Sequence, residues 1–232
     1  MAKIDAIDIP KLIFTEGSAP STPAATKVAI YAKSDGLMYS KDDAGVETVM
    51  SGGGGGSGGS QVWLQRQTAS TSATLDCTSF ISATYETYLF IFNSIVPVTD
   101  NTNFLMRMGT GGGPTYDTGA NYGWAAFRHS PSGSAVAGAS SGQTSIGLDG
   151  SGGIDNATSS ALNGTLYLYN PGSAIHKRIT AHFGYTDNAG ALIGTDVTAT
   201  YQSTTAVTAV RFLMASGSIT SGTIDVYGIT KA

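Results

Sequence analysis

The sequence predicts an all-β protein: a small N-terminal β meander followed by a jelly-roll-like antiparallel β-sandwich. Three observations carry this expectation. Charged residues are only 12% of the chain while hydrophobic residues are 41%, a balance opposed to that of disordered chains, which combine low hydrophobicity with high net charge. Gly accounts for 31 of the 232 residues and Ser and Thr abound, whereas Glu occurs only as Glu16, Glu47 and Glu86; a chain so poor in helix formers is not a helical bundle. Short segments rich in β-branched and aromatic residues also recur between clusters of Gly, Pro, Asn, Asp and Ser, which is the signature of strands bounded by turns.

Residues 1–26 read as an extended arm. Pro10, Pro20 and Pro23 interrupt it, and the run SAPSTPAAT is expected to be extended and without stable local structure. The stretch before that run is apolar at Ile4, Ile7, Ile9, Leu12, Ile13 and Phe14. Two uses fit those six residues: a strand or arm packed on its own domain, or an arm that docks on another protein. Residues 27–50 read as a compact meander. Val28, Ile30 and Ala32 alternate with Ala29, Tyr31 and Lys33, giving the period of two that a half-buried strand shows. Ser34-Asp35-Gly36 is a turn signal, Leu37 to Ser40 a second strand, Asp42 to Gly45 another turn, and Val46 to Met50 a third strand. About 24 residues cannot bury a stable core by themselves, so the meander needs the rest of the chain or neighbouring copies.

Residues 51–60, SGGGGGSGGS, have no side chain larger than a hydroxyl and form a flexible linker; no Lys-Ser/Thr ending is present to hold a phosphate. Residues 61–232 form the main domain. Its strands are expected at Tyr85–Asn93, Phe104–Met108, Gly123–Phe127, Thr165–Tyr169, Ile179–Tyr185, Thr195–Gln202, Val207–Met214 and Thr223–Ile229. So many short strands, with no credible helix, indicate the sandwich. The Gly-, Ser- and Ala-rich stretch from Ser130 to Ser160 reads as surface loop.

Composition also excludes functions. A net charge of −4 leaves no basic face for nucleic acid. Apolar runs such as Tyr88 to Phe92 fall far short of the roughly 20 residues a membrane helix needs. Asp5, Asp8 and Pro10 interrupt any secretory signal, so synthesis in a cytoplasm is expected. The single cysteine, Cys77, cannot form an internal disulfide and reads as a small buried hydrophobe.

Chemistry-bearing constellations are sparse. His129, His176 and His182 lack the spacing that puts two metal ligands on one face. Asp117, Asp149, Asp155 and Asp187 could ligate calcium, but no D-x-D-x-D-G run is present, and turn-capping is the favoured reading. No G-x-S-x-G opens a helix, and Glu86 is the only Glu of the main domain, so paired catalytic carboxylates are hard to assemble. No catalytic residue, cofactor or metal site is expected. Trp63, Tyr116, Tyr122 and Trp124 could stack on sugar rings, with Tyr116 and Tyr122 expected in loops; packing in a core or between subunits is the default use of such residues.

Two segments resemble a known family. Pro20 to Ser51 carries Pro20, Thr22, Pro23, Val28, Tyr31, Ala32, Lys33, Asp35, Gly36, Tyr39, Lys41, Asp42, Gly45, Glu47 and Thr48 in the pattern P-x-T-P-x-x-G-x-V-x-L-Y-A-K-x-D-G-x-L-Y-x-K-D-x-x-G-x-E-T. This resembles a short module near the N-terminus of tailed-bacteriophage structural proteins; Thr26 stands where the pattern has Gly, a change expected to alter the entry turn and little else. Tyr85-Glu86 with Leu89 to Phe92, Val96 to Asp100, Tyr167 to Ser173 and Ala206 to Gly228 look like the β-sandwich domain that follows this module in phage tail, fibre and minor virion proteins. The resemblance implies a structural protein at the virion surface, commonly a homotrimer, with no catalytic residue to carry over. The expectation is a capsid decoration protein or head fibre, attached through its N-terminal region to the major capsid protein or another virion protein. The alternative is a short tail fibre or receptor-binding protein that contacts host glycan, with Tyr116, Tyr122 and Trp124 as the contacts.

Overall fold

The computed structural model describes residues 13–50, 60–133 and 135–230. The chain divides into two compact units, Met1–Gly59 and Ser60–Ala232. The predicted linker, apart from Ser60, and the arm residues Ile4, Ile7, Ile9 and Leu12 lie outside the described residues.

In the first unit β1 (Glu16–Gly17), β2 (Ala29–Lys33), β3 (Met38–Lys41) and β4 (Glu47–Val49) form one sheet in that order. The last three strands are the predicted meander, paired antiparallel. Its two turns are built alike. Gly36 and Gly45 take φ of +79° and +82°, the left-handed region that glycine enters freely. Asp35 and Asp42 accept hydrogen bonds from the N–H groups of Leu37 and Ala44, as turn aspartates do.

The run at residues 18–26 holds no strand or helix, but the arm is tied to the meander: just before the run β1 pairs parallel with β2, and within it Lys41 Nζ donates to the Pro20 carbonyl and Asp43 accepts from the Thr26 N–H. Polar side chains of the meander hold the segment, a cause that proline spacing does not reveal. Thr26 sits at φ +65°, where a β-branched residue is strained.

In the second unit the strands are β5 (Gln61–Thr68), β6 (Thr74–Thr78), β7 (Tyr85–Pro97), β8 (Phe104–Thr110), β9 (Thr115–Tyr116), β10 (Tyr122–His129), β11 (Ala135–Gln143), β12 (Ile146–Gly147), β13 (Leu162–Tyr169), β14 (Lys177–Thr186), β15 (Leu192–Tyr201), β16 (Val207–Met214) and β17 (Ile219–Thr230). One sheet has the order β11-β10-β15-β14-β13-β7-β17-β5, and the other β12-β8-β16-β6 with β9 beside β8. Within these, β5-β17-β7-β13 and β6-β16-β8-β12 are the two four-stranded sheets of a jelly roll, with the chain crossing repeatedly between them. The strands β14, β15, β10 and β11 extend the first sheet beyond that core.

The alternation of β7, β16 and β17 explains the packing. Phe90 and Phe92 on β7, Phe212 on β16 and Ile224 and Val226 on β17 are all buried. Phe92 is the hub, with ring centroids of Phe104, Phe183 and Phe212 at 5.8, 5.2 and 5.0 Å, each edge-to-face. Such pairs add about 0.5–1.5 kcal/mol to what burial alone supplies. The long β7–β17 pairing bends at Ser94, φ +53°, opposite Gly222, φ +120°. A Cβ at Gly222 would lie 2.6 Å from the Ser94 carbonyl oxygen, so only glycine lets the strands approach there.

The eight strands expected in this unit are present, most of them longer than predicted. The Ser130–Ser160 segment is not the surface loop it was expected to be. It holds β11, β12 and a 3₁₀ turn at Thr158–Ser160, and it buries Ile146, Leu148, Asp149 and Ile154. Ala, Gly and Ser make β11 possible because it is an edge strand whose small side chains pack without a large apolar face, which removes the sequence signal.

Candidate functional site

The first unit has a polar face and an apolar face. Registry places Tyr31 opposite Tyr39 and Lys41 opposite Glu47 on one side. There Glu47 pairs with Lys33 and lies 3.6 Å from Lys41. Lys33 also sits over the Tyr39 ring, Tyr31 and Tyr39 stack at 5.9 Å, and the Tyr39 hydroxyl donates to Asp35. The hydrogen bond from Lys33 holds the Glu47 carboxyl below its ordinary pKa. The charged groups of the polar face are thus paired among themselves, while the buried Tyr31 hydroxyl has no hydrogen-bond partner.

The opposite face is covered only at Ala32, two residues from Ile30 on β2. Val28, Ile30, Val46 and Met50 are each at least 50% exposed, and among the described residues of this unit only Ala32 is buried. Of the six apolar arm residues, Ile13 and Phe14 are described and both are exposed. A sheet of this size with one bare apolar face gains stability only by packing against something else.

In the second unit the predicted aromatic contacts are packing residues. Tyr122 is not in a loop but begins β10. It is fully buried, stacks on Tyr201 at 5.0 Å, accepts from the Met108 N–H and donates to the Asp117 carbonyl. No glycan can reach it. Tyr116 is likewise in a strand, β9, with the Arg211 guanidinium 3.9 Å from its ring centroid, and burial pushes its hydroxyl up to about 12. Trp124 is half-buried against the core; a Cβ at Gly147 would lie 3.3 Å from its ring. Trp63 alone of the four is well exposed, with its indole N–H directed at Asp225, which Arg66 holds in a two-pronged ion pair.

The predicted turn-capping role of the aspartates is what the hydrogen bonds show. Asp117 accepts from the Gly119 N–H, Asp155 from Ala157, and Asp187 from Ala189 and Ala191. Asp149 differs because it is fully buried. Its Oδ2 accepts from Asn103 Nδ2 and from the Gly152 and Gly153 N–H groups, while Oδ1 has no partner. Burial raises its pKa, and those hydrogen bonds oppose the rise. Lys177 is also enclosed, donating to the carbonyls of Ser173 and Ile175, and burial lowers its pKa. Cys77 is buried and its thiol is pushed up to about 12 by burial, which makes it inert.

The three histidines are exposed. His182 Nδ1 lies 2.7 Å from Asp196 Oδ1 across the β14–β15 pair, and His129 stacks on Phe127 at 6.3 Å. Among the described residues no group of three or more His, Cys, Asp or Glu is placed to hold a metal ion. The residues that sequence reasoning did not bring together are Phe127, Asp196 and His182. A signal existed: the tight turn centred on Ala189, once taken as a hairpin, places residue 182 opposite residue 196. No protein-family model, curated protein or solved structure matches the chain.

Proposed function

We propose that the chain is a non-enzymatic surface component of a tailed-bacteriophage particle, a capsid decoration protein or head fibre attached through its N-terminal unit. The observation that carries the reading is the one-sided first unit: the charged groups of one face are paired among themselves, while Val28, Ile30, Val46 and Met50 are left facing solvent. A face of that kind is a docking surface in search of a partner. Copies of the same module and a shell protein are the partners in view. The second unit encloses its own aromatic core and needs no partner to fold, which suits a domain that projects from a particle. Its sparse surface charge lets neighbouring copies approach without desolvating ion pairs.

The test is copy number and location. Purified particles are separated into heads and tails, and each fraction is quantified by mass spectrometry against the major capsid protein. Copies in the hundreds travelling with heads support decoration or head fibre. A few tens travelling with tails replace that reading with a short tail fibre. Absence from both fractions removes the virion reading.

A further inference from the structure

We propose that the outer face of the strands added to the jelly roll, β10, β15 and β14 with β11 at the edge, binds a neutral saccharide across a ridge made by Phe127, Asp196 and His182. The inference concerns the second unit alone and does not depend on how the first unit is attached.

The three ridge residues form one cross-strand row, since Phe127 pairs with Asp196 and Asp196 with His182. Residues two apart along a strand share a face, so the neighbouring outward rows are Ala125, Thr198 and Thr180 on one side and His129, Gly194 and Gly184 on the other. Those rows are made mainly of small residues, and the ridge therefore stands between two hollows. One, of about 570 Å³, lies between the ridge and the alanines 125, 137 and 139. The other, of about 350 Å³, is floored by Gly184 and walled by His182, Leu192 and the His129 ring, which lies directly over Gly194. Their floors, at Thr180 and Gly184, are four residues apart on β14, roughly 14 Å at ~3.4 Å per residue, the span of a short oligosaccharide.

The chemistry suits a ligand with apolar ring faces and many hydroxyls. Phe127 is 49% exposed and offers a ring for stacking beside the alanine methyls. Asp196 is an acceptor, the second imidazole nitrogen of His182 can donate or accept, and the hydroxyls of Thr180 and Thr198 can do both. The bond between His182 and Asp196 orients both side chains while using one polar atom of each, so the site is ordered before ligand arrives, which lowers the cost of binding. Neither hollow is lined by Lys or Arg. The nearest cation on this face, Arg178, stands one row beyond Thr180 and donates to Thr200, while the carboxylate of Asp196 at the centre would repel a polyanion.

The experiment applies the full chain to an array of neutral and anionic glycans. The best neutral binder is then titrated in solution while backbone amide shifts are followed. The expected result is a neutral hit whose shifts cluster on β10, β14 and β15. Its affinity falls at least tenfold in Phe127→Ala and in Asp196→Ala, and holds in Trp63→Ala, with thermal midpoints unchanged because all three side chains are exposed or half-exposed. Absence of any hit overturns the proposal. So does binding confined to anionic glycans, or binding lost in Trp63→Ala but kept in the two ridge variants. Shifts on these strands that follow protein concentration and ignore saccharide overturn it as well, and identify the face as a contact between copies.

Discussion

The two units use the same period-two alternation to opposite ends. In β7 and β16 it delivers Phe90, Phe92 and Phe212 into the space between two sheets, where they are almost wholly buried. In β2 it delivers Ile30 to a face with no second sheet above it, where it stays half exposed. Alternation tells which residues share a face; it says nothing about whether that face is covered. The first unit is a half-sandwich whose other half is not supplied by its own described residues. The second unit is complete.

The largest effect that sharpens this contrast is truncation of the core hub. Phe92→Ala removes three edge-to-face contacts and opens a cavity, and is expected to cost about 3–5 kcal/mol in urea unfolding of the full chain. The matching change in the first unit, Ile30→Ala, should alter stability by no more than about 0.5 kcal/mol, as for an exposed position. Equal losses at the two sites would mean that the first unit has a core after all.

A second test uses the buried carboxylate. Asp149 has its folded pKa raised above the unfolded value of 3.8. In the window above 3.8 the native state therefore binds more protons than the unfolded chain, and lowering pH through it stabilises the fold. The stability gap between the wild type and Asp149→Asn should shift toward the wild type as pH falls from 7 toward 4. Urea midpoints measured across that range check the sign; a shift toward the variant would mean that the three hydrogen bonds on Oδ2 outweigh burial. Among the described residues of the first unit, Asp35 and Glu47 shift the other way: hydrogen bonds from Tyr39 and Lys33 lower their pKa values.

How much of this was legible follows the same physical division. The β class, the meander with its Asp-Gly turns and eight strands of the sandwich were readable because alternation and turn residues are local. β11 was not, since AVAGASSGQ carries no amphipathic signal and is held by its pairing with β10. β5 was missed because Gln65 and Gln67 pair with the buried Val226 and Ile224, where an apolar residue would have given the signal, and β6 because it buries only Leu75 and Cys77; their places in the sheets are fixed by β17 and β16 from the far end of the chain. Tyr116 and Tyr122, expected in loops, stand in β9 and at the start of β10 for a related reason: their places are fixed by pairing with β8, hidden by the Gly-rich turn, and with β15, far away in sequence. His182 and Asp196 become neighbours only through the β14–β15 register.

A smaller effect is expected at the entry to the meander. Thr26→Gly relieves left-handed strain of about 1–2 kcal/mol against roughly 0.5–1 kcal/mol of added backbone entropy, a net gain of about 0.5–1 kcal/mol confined to the first unit. Slower amide exchange at Tyr31 and Tyr39, with none at Phe92, is the expected pattern. Faster exchange would show that the threonine side chain contributes more than its backbone costs.

The smallest effect on folding is expected from the change that matters most to attachment. Ile30→Glu places a charge in the middle of the bare apolar face, where the side chain is already solvated, so the isolated chain should unfold as the wild type does, within about 0.5 kcal/mol. Burying that carboxylate against a partner is a different matter, because an unpaired charge taken from water costs several kcal/mol. Particles assembled with the variant should therefore carry at least tenfold fewer copies per head, while Val49→Glu, on the polar face beside Tyr39, should change the count far less. Full occupancy by Ile30→Glu would place attachment elsewhere in the chain and leave the apolar face without a role, and the contrast between the two units would then be one of stability alone.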